Sequence, residues 1–116
     1  MEALKYITNQ LAMFEKSTKM KKGRQSSILP TLFHVIFHND KVTSFDFVES
    51  CLMDFFDRSF ADAQKLAIKV HFNGHTVVGT YLFKIAEIKI KQTKKRARQN
   101  HLPLKVTMQT VLVSDG

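Results

Sequence analysis

The chain has 116 residues, 44% of them apolar, and a formal net charge of +8. That length accommodates one domain with one core and excludes a second domain, while ten Phe and an ordinary apolar fraction exclude a disordered or fibrous chain. Cys51 is the only cysteine, which excludes an intramolecular disulfide, and no stretch approaches the ~18 apolar residues of a membrane span.

The N-terminus also lacks the apolar core of a signal peptide, so the expected location is the cytoplasm. The basic charge falls in two places: five cations between Lys16 and Arg24, and seven between Lys84 and Arg98 against the single acid Glu87. Such patches attract nucleic acid, anionic membrane or acidic protein surfaces; the plainer reading is a solvated helix face and a solubilising arm.

In chain order, Leu4, Ile7, Leu11 and Phe14 recur at helical spacing, and a polar, basic stretch from Glu15 to Ser27 reads as a linker. This assigns residues 1–28 to an amphipathic helix and linker, 29–113 to the core domain and 114–116 to a tail. After Pro30, the dense run Thr31 to His38 predicts a central strand buried on both faces. Thr43 or Ser44 caps a following helix carrying Phe45, Val48, Leu52, Phe55 and Phe56 on one side, broken at Asp57-Arg58-Ser59.

Ser59 caps a second helix with Phe60, Ala63, Ala67 and Val70 as its stripe, stopped by Gly74. Thr76 to Tyr81 is a strand, with Gly79 a bulge or a point of close approach. A long helix from about Lys84 to Gln99 buries Ala86, Ile90, Thr93 and Ala97. Beyond Leu102-Pro103, the alternation of Leu104, Val106, Met108 and Thr110 predicts a half-exposed strand. The order β-α-α-β-α-β gives an α+β fold, a small sandwich of three helices on a three-stranded sheet with an N-terminal extension.

Two segments end regular elements with polar groups that have no obvious helical or strand role: His38-Asn39-Asp40, leading into Thr43 to Val48, and Val70-His71-Phe72-Asn73-Gly74. Brought together, an Asn amide, an Asp carboxylate and a His imidazole beside apolar side chains suit a ligand with a cationic end and a greasy end, such as a peptide terminus. Each has a plainer reading as well, Asn39-Asp40 as turn chemistry and His71 as a helix C-terminal cation. His34 and His38 share a strand face but lack Cys or carboxylate partners at metal spacing, so no metal and no cofactor are expected. Cys51 sits on a core-facing helix position, and no Ser-His-Asp or Cys-His arrangement stands out.

Taken jointly, these segments, the Gly79-Thr80-Tyr81 turn into a helix and Leu102-Pro103-Leu104 resemble the ClpS adaptor family over about Thr31 to Gln109. The resemblance implies an adaptor, not an enzyme, that recognises N-degrons, proteins beginning with a large hydrophobic residue, and hands them to a Clp ATPase with a ClpA-like N-terminal domain. By position it implies that Asn39, Asp40 and His71 hold the α-amino group. Thr43, Phe45, Val48, Ala67, Val70 and Leu104 would line the side-chain pocket, where burial contributes roughly 1.5–3 kcal/mol. Lys84, Glu87 and Lys89 would face the ATPase, helped by the N-terminal arm. Nothing demands more than a monomer.

The chain departs from the family pattern where a second Asp becomes Lys41, where two pocket methionines become Phe45 and Ala67, and where an interface acid becomes Lys84. Two rival readings follow. One is a nucleic-acid or ribosome-binding module gripping phosphates with Lys84, Lys89, Lys91, Lys94, Lys95, Arg96 and Arg98, although the helix lacks interleaved aromatics. The other is a decoy that occupies the ATPase without cargo, suggested by Lys41.

Overall fold

The computed structural model describes residues 30–112, so the helix and linker expected over 1–28 and the tail over 114–116 lie outside the described residues. Six elements follow in order: β1 (Leu32–His38), α1 (Phe45–Phe56), α2 (Phe60–Asn73), β2 (His75–Leu82), α3 (Phe83–Gln99) and β3 (Lys105–Thr110). The sheet order is β2-β1-β3 with both pairings antiparallel, so β1 is the central strand its composition predicts.

The expected caps hold α1 and α2. Ser44 accepts from the Phe47 amide and Ser59 from the Asp62 amide, each satisfying a donor that the first helical turn leaves open. Gly74 ends α2 at φ 88°, a left-handed conformation that an L side chain resists. By contrast, α3 springs directly from β2 at Leu82 with no side-chain cap.

Gly79 is required for a different reason. The β1–β2 register shifts between Val35 and Ile36, leaving Val78 as the extra residue of a bulge. A Cβ on Gly79 would lie on the Tyr81 hydroxyl and 2.6 Å from two carbons of that ring, and Tyr81 is itself buried. Arg58 donates two hydrogen bonds to the Val78 carbonyl, tying the α1–α2 connection to the bulge.

One face of the sheet carries the core. Val35 and Phe37 of β1, Val78 and Tyr81 of β2 and Val106 of β3 pack with Val48, Cys51, Leu52 and Phe56 of α1, Ala63, Ala67 and Val70 of α2, and Ala86, Ile90 and Ala97 of α3. Phe37 and Phe56 meet edge to face at 5.5 Å, a geometry favoured by the ring quadrupoles. Burial pushes the Cys51 thiol up to about 11, as befits a small hydrophobe rather than a nucleophile. On the opposite face His34 and His38 hydrogen-bond to Thr80 and Thr107, each at 2.8 Å.

Two stripes need correction. Phe60 does not join the α2 stripe: as the first helical residue it is 54% exposed, while Ala63, Ala67 and Val70 are buried as expected. On α3 the stripe Ala86, Ile90, Thr93 and Ala97 holds, but Lys89 is buried with it. The Lys89 ammonium donates to the Phe55 carbonyl at 2.6 Å and lies 5.6 Å and 5.2 Å from the ring centres of Phe56 and Tyr81. Burial, opposed by Asp57 and reinforced by Arg58, lowers its pKa. A long apolar stem lets a lysine occupy a core-facing position while its charge reaches an unsatisfied carbonyl at the end of α1.

The connections give the domain two unlike ends. His38 pairs with both His75 and Lys105, so the end of β1 and the starts of β2 and β3 lie together. The start of α1 and the ends of α2 and α3 reach the same end through short loops. Opposite, the start of β1 pairs with Leu82 and Thr110, beside the start of α3. Among the described residues no helix is long and apolar enough to cross a membrane.

Candidate functional site

The site is built at the His38 end. Beyond His38, the Asn39 amide donates to the Gly74 carbonyl at 2.8 Å, and its side-chain amide reaches the His71 carbonyl at 3.5 Å. These bonds bring the turn after β1 against the last turn of α2, so Asn39 and His71 are neighbours although far apart in sequence. The carbonyl end of α2 is also the negative end of its dipole, which favours a cation there.

Asp40 folds back on its own turn. One carboxylate oxygen accepts from the amides of Val42 and Thr43 at 2.8 Å and 2.7 Å, and the other accepts from the Thr43 hydroxyl at 2.8 Å. Partial burial works against the charge, but the bonds from Thr43 and Val42 outweigh it and hold the carboxyl below its ordinary value. The turn-chemistry reading is therefore correct for Asp40, and the same bonds keep it ionised. Thr43 acts in this turn while Ser44 caps α1, which resolves the choice between them.

His71 stands between two aromatic rings, edge-on to Phe45 at 5.2 Å and to Phe72 at 4.8 Å, and its ring nitrogens have no hydrogen-bond partner among the described residues. Phe45 is 41% exposed, so it sits at the rim instead of in the α1 core stripe. Val48, Ala67, Val70 and Leu104 are buried in one apolar cluster. Leu104 immediately precedes Lys105, the partner of His38, and so belongs to the same end. Lys41 is exposed. The chemistry on offer is a carboxylate, an amide and an imidazole at the ends of β1 and α2, with the aromatic edges of Phe45 and Phe72 against the imidazole.

Sequence reasoning missed Phe72, which is 75% exposed against His71, and Val42, 62% exposed on the Asp40 turn. The available signal was the position of Phe72, off the Ala63, Ala67 and Val70 stripe and next to a candidate ligand-binding histidine.

The expected partner surface divides. Exposed Lys84 and half-buried Glu87 form an i,i+3 pair at 3.6 Å at the opposite end of the domain, but Lys89 is not on that surface, because its ammonium is committed to Phe55. Arg96 is likewise engaged, 2.7 Å from Asp54 and 4.3 Å over the Phe55 ring. The seven-cation phosphate grip thus loses two of its members.

One site-proximal group gives a pH dependence. Burial first, then the charge of Lys105 and the proximity of His75, lower the pKa of His38 from 6.5. The unfolded chain binds a proton below pH 6.5 that the folded chain refuses until its lower pKa, so stability is full above 6.5 and falls as pH drops through the folded value. Urea unfolding between about pH 7.5 and 5 should show this loss in the native protein and a smaller one in His38→Gln. An equal loss in both would remove His38 as the cause.

Comparison with known proteins agrees with this architecture. The family model for the ATP-dependent Clp protease adaptor protein ClpS matches residues 29–107. ClpS adapter proteins similar to the chain include that of Syntrophus aciditrophicus, 42% identical over 71% of this chain and 77% of the relative. That of Clostridium acetobutylicum is 38% identical over 82% of this chain and 91% of the relative. Among solved structures, Agrobacterium tumefaciens ClpS2 bound to L-phenylalaninamide superposes with a TM-score of 0.68 at 28% identity, over 71% of this chain and 99% of that one. The fold is that of a small adaptor domain. The chain belongs to the ClpS family, adaptor proteins of the ATP-dependent Clp protease.

Proposed function

We propose that the protein binds the N-terminal hydrophobic residue of substrate proteins and delivers them to a Clp ATPase. The observation that supports this reading is the contact of Asn39 with the last turn of α2 at His71, with the ionised Asp40 next to Asn39 in the chain and Val48, Ala67, Val70 and Leu104 in the apolar core. An α-amino group is largely protonated at neutral pH and needs acceptors, while the side chain beside it needs apolar cover. L-phenylalaninamide, the ligand of the related A. tumefaciens structure, has both features: a free ammonium and an aromatic side chain.

In this reading Asn39, Asp40 and His71 accept from the ammonium, and Thr43, Phe45, Val48, Ala67, Val70 and Leu104 line the pocket. The swap to a larger Phe45 and a smaller Ala67 reshapes the cavity toward an aromatic first residue. Lys84 and Glu87, at the opposite end, together with the arm that joins the domain at Pro30, engage a ClpA-like N-terminal domain, leaving the substrate end open. The adaptor works as a cytoplasmic monomer.

The test is a set of twenty peptides differing only in their first residue, each with a free and an acetylated N-terminus. Peptides beginning with Phe, Leu, Tyr or Trp should bind, and acetylation should weaken them by roughly fiftyfold or more, since it removes the charge and two donors. Equal binding of free and blocked peptides would reject the reading.

A further inference from the structure

Where the end of α3 meets the connection into β3, Lys94, Ala97, Arg98, Leu102, Pro103 and Leu104 line a groove of about 260 Å³. Its shape is fixed by the turn that closes α3. The Leu102 amide donates to the Ala97 carbonyl at 2.9 Å, the His101 amide to the Arg98 carbonyl at 3.1 Å, and the Asn100 side chain to the Arg96 carbonyl at 2.8 Å. The floor is apolar and the two long side chains, Lys94 and Arg98, are exposed cations one helical turn apart.

Neither cation has an acidic partner among the described residues, in contrast to Lys84 and Arg96, which pair with Glu87 and Asp54. From Ile88 to Leu112 the sequence contains no Asp or Glu, so any acid near this groove must come from another element, and among the described residues Asp54, which reaches α3 from α1, is paired with Arg96 instead. The groove adjoins the candidate site, because Leu104 is one of its walls and stands next to Lys105, which pairs with His38 just before Asn39. A substrate anchored by its first residue extends about 3.3–3.6 Å per residue, which places its second to fourth residues at the distance of a neighbouring groove.

We infer that this groove receives the residues following the bound N-terminus and selects acidic side chains there, so that the preferred substrate is a hydrophobic first residue followed by Asp or Glu. The inference rests on the N-terminal binding proposed above. Two exposed cations acting on one segment give a modest, salt-screened preference of roughly three- to tenfold at low ionic strength.

The experiment uses the full chain and peptides with a free N-terminal phenylalanine followed by three glutamates, three glutamines or three lysines, with an acetylated copy of each. Affinities are measured at low and high salt for the native protein, for Lys94→Gln/Arg98→Gln and for Lys94→Glu/Arg98→Glu. The glutamate peptide should bind tightest, its advantage should vanish at high salt and in the glutamine variant, and the charge-reversed variant should prefer lysine. Binding of the glutamine peptide should be the same in the native protein and the glutamine variant.

If free peptides bind and blocked ones do not, but glutamate and glutamine bind alike, the groove inference is overturned and the N-terminal reading stands. If blocked and free peptides behave alike, the N-terminal reading is overturned and this inference with it. If the two cations alter retention of a single-stranded oligonucleotide but leave peptide affinities unchanged, the groove is a nucleic-acid contact and the inference fails.

Discussion

Replacing Asp40 by Asn is expected to weaken binding of a free phenylalanine peptide by roughly tenfold to a hundredfold with little loss of fold, the range of a charge-assisted hydrogen bond reduced to a neutral one. Asn keeps an acceptor for the Val42 and Thr43 amides, which hold the turn at 2.8 Å and 2.7 Å, but loses the charge and the oxygen that receives the Thr43 hydroxyl. Asp40→Ala removes all three bonds, and should add a destabilisation of about 1–2 kcal/mol to the binding defect. Calorimetric titration and thermal unfolding on both variants separate the two roles. Native affinity in Asp40→Asn, alongside a lowered Tm in Asp40→Ala, would make the carboxylate a brace of the turn and nothing more. The adjacent Lys41 sharpens this expectation, because a cation beside the ammonium site leaves Asp40 as the nearby negative charge.

The largest effect on stability is expected from Gly79→Val. Gly79 is not held in the left-handed region; its need is for space, since a Cβ would come within 2.6 Å of two Tyr81 ring carbons. Tyr81 cannot retreat, being buried beside Phe56 at 6.2 Å between ring centres. Overpacking of this kind costs about 3 kcal/mol or more for a branched side chain, a fall in Tm of roughly 10–20 °C for a domain of this size. Tyr81→Ala in the Gly79→Val background should recover part of the loss, and the double-mutant cycle measures the contact. Independent, additive losses would contradict a clash with Tyr81. At Gly74 the reverse holds: no heavy atom lies within 4 Å of an added Cβ, and only the φ of 88° opposes substitution.

Much of the architecture is legible residue by residue because it depends on local devices. Ser44, Ser59 and Gly74 act on backbone groups within a few positions of themselves, and the dense apolar run of β1 identifies the central strand, although the helices cover one of its faces and His34 and His38 lie on the other. The polar termini of β1 and α2 are equally conspicuous, which is why Asn39, Asp40 and His71 stand out. Lys89 shows where local reading stops. It lies three residues after Ala86 and one before Ile90, on the buried face by spacing, yet a lysine is read as solvated unless its partner is known. That partner, the Phe55 carbonyl, comes from another helix.

The sequence by itself determined the order and type of the elements, their caps, and the residue types available for binding, because these follow from interactions spanning a few residues. Only the tertiary structure decided that Asn39 meets His71, that Phe45 and Phe72 flank the imidazole, that Lys89 and Arg96 are committed elsewhere, and that Lys94 and Arg98 border a groove next to the candidate site. The contacts of Asn39 and Phe45 with His71, of Lys89 with Phe55 and of Arg96 with Asp54 join positions far apart in the chain, and the strand order β2-β1-β3 that carries Asn39 to the end of α2 is a product of long-range pairing and core packing.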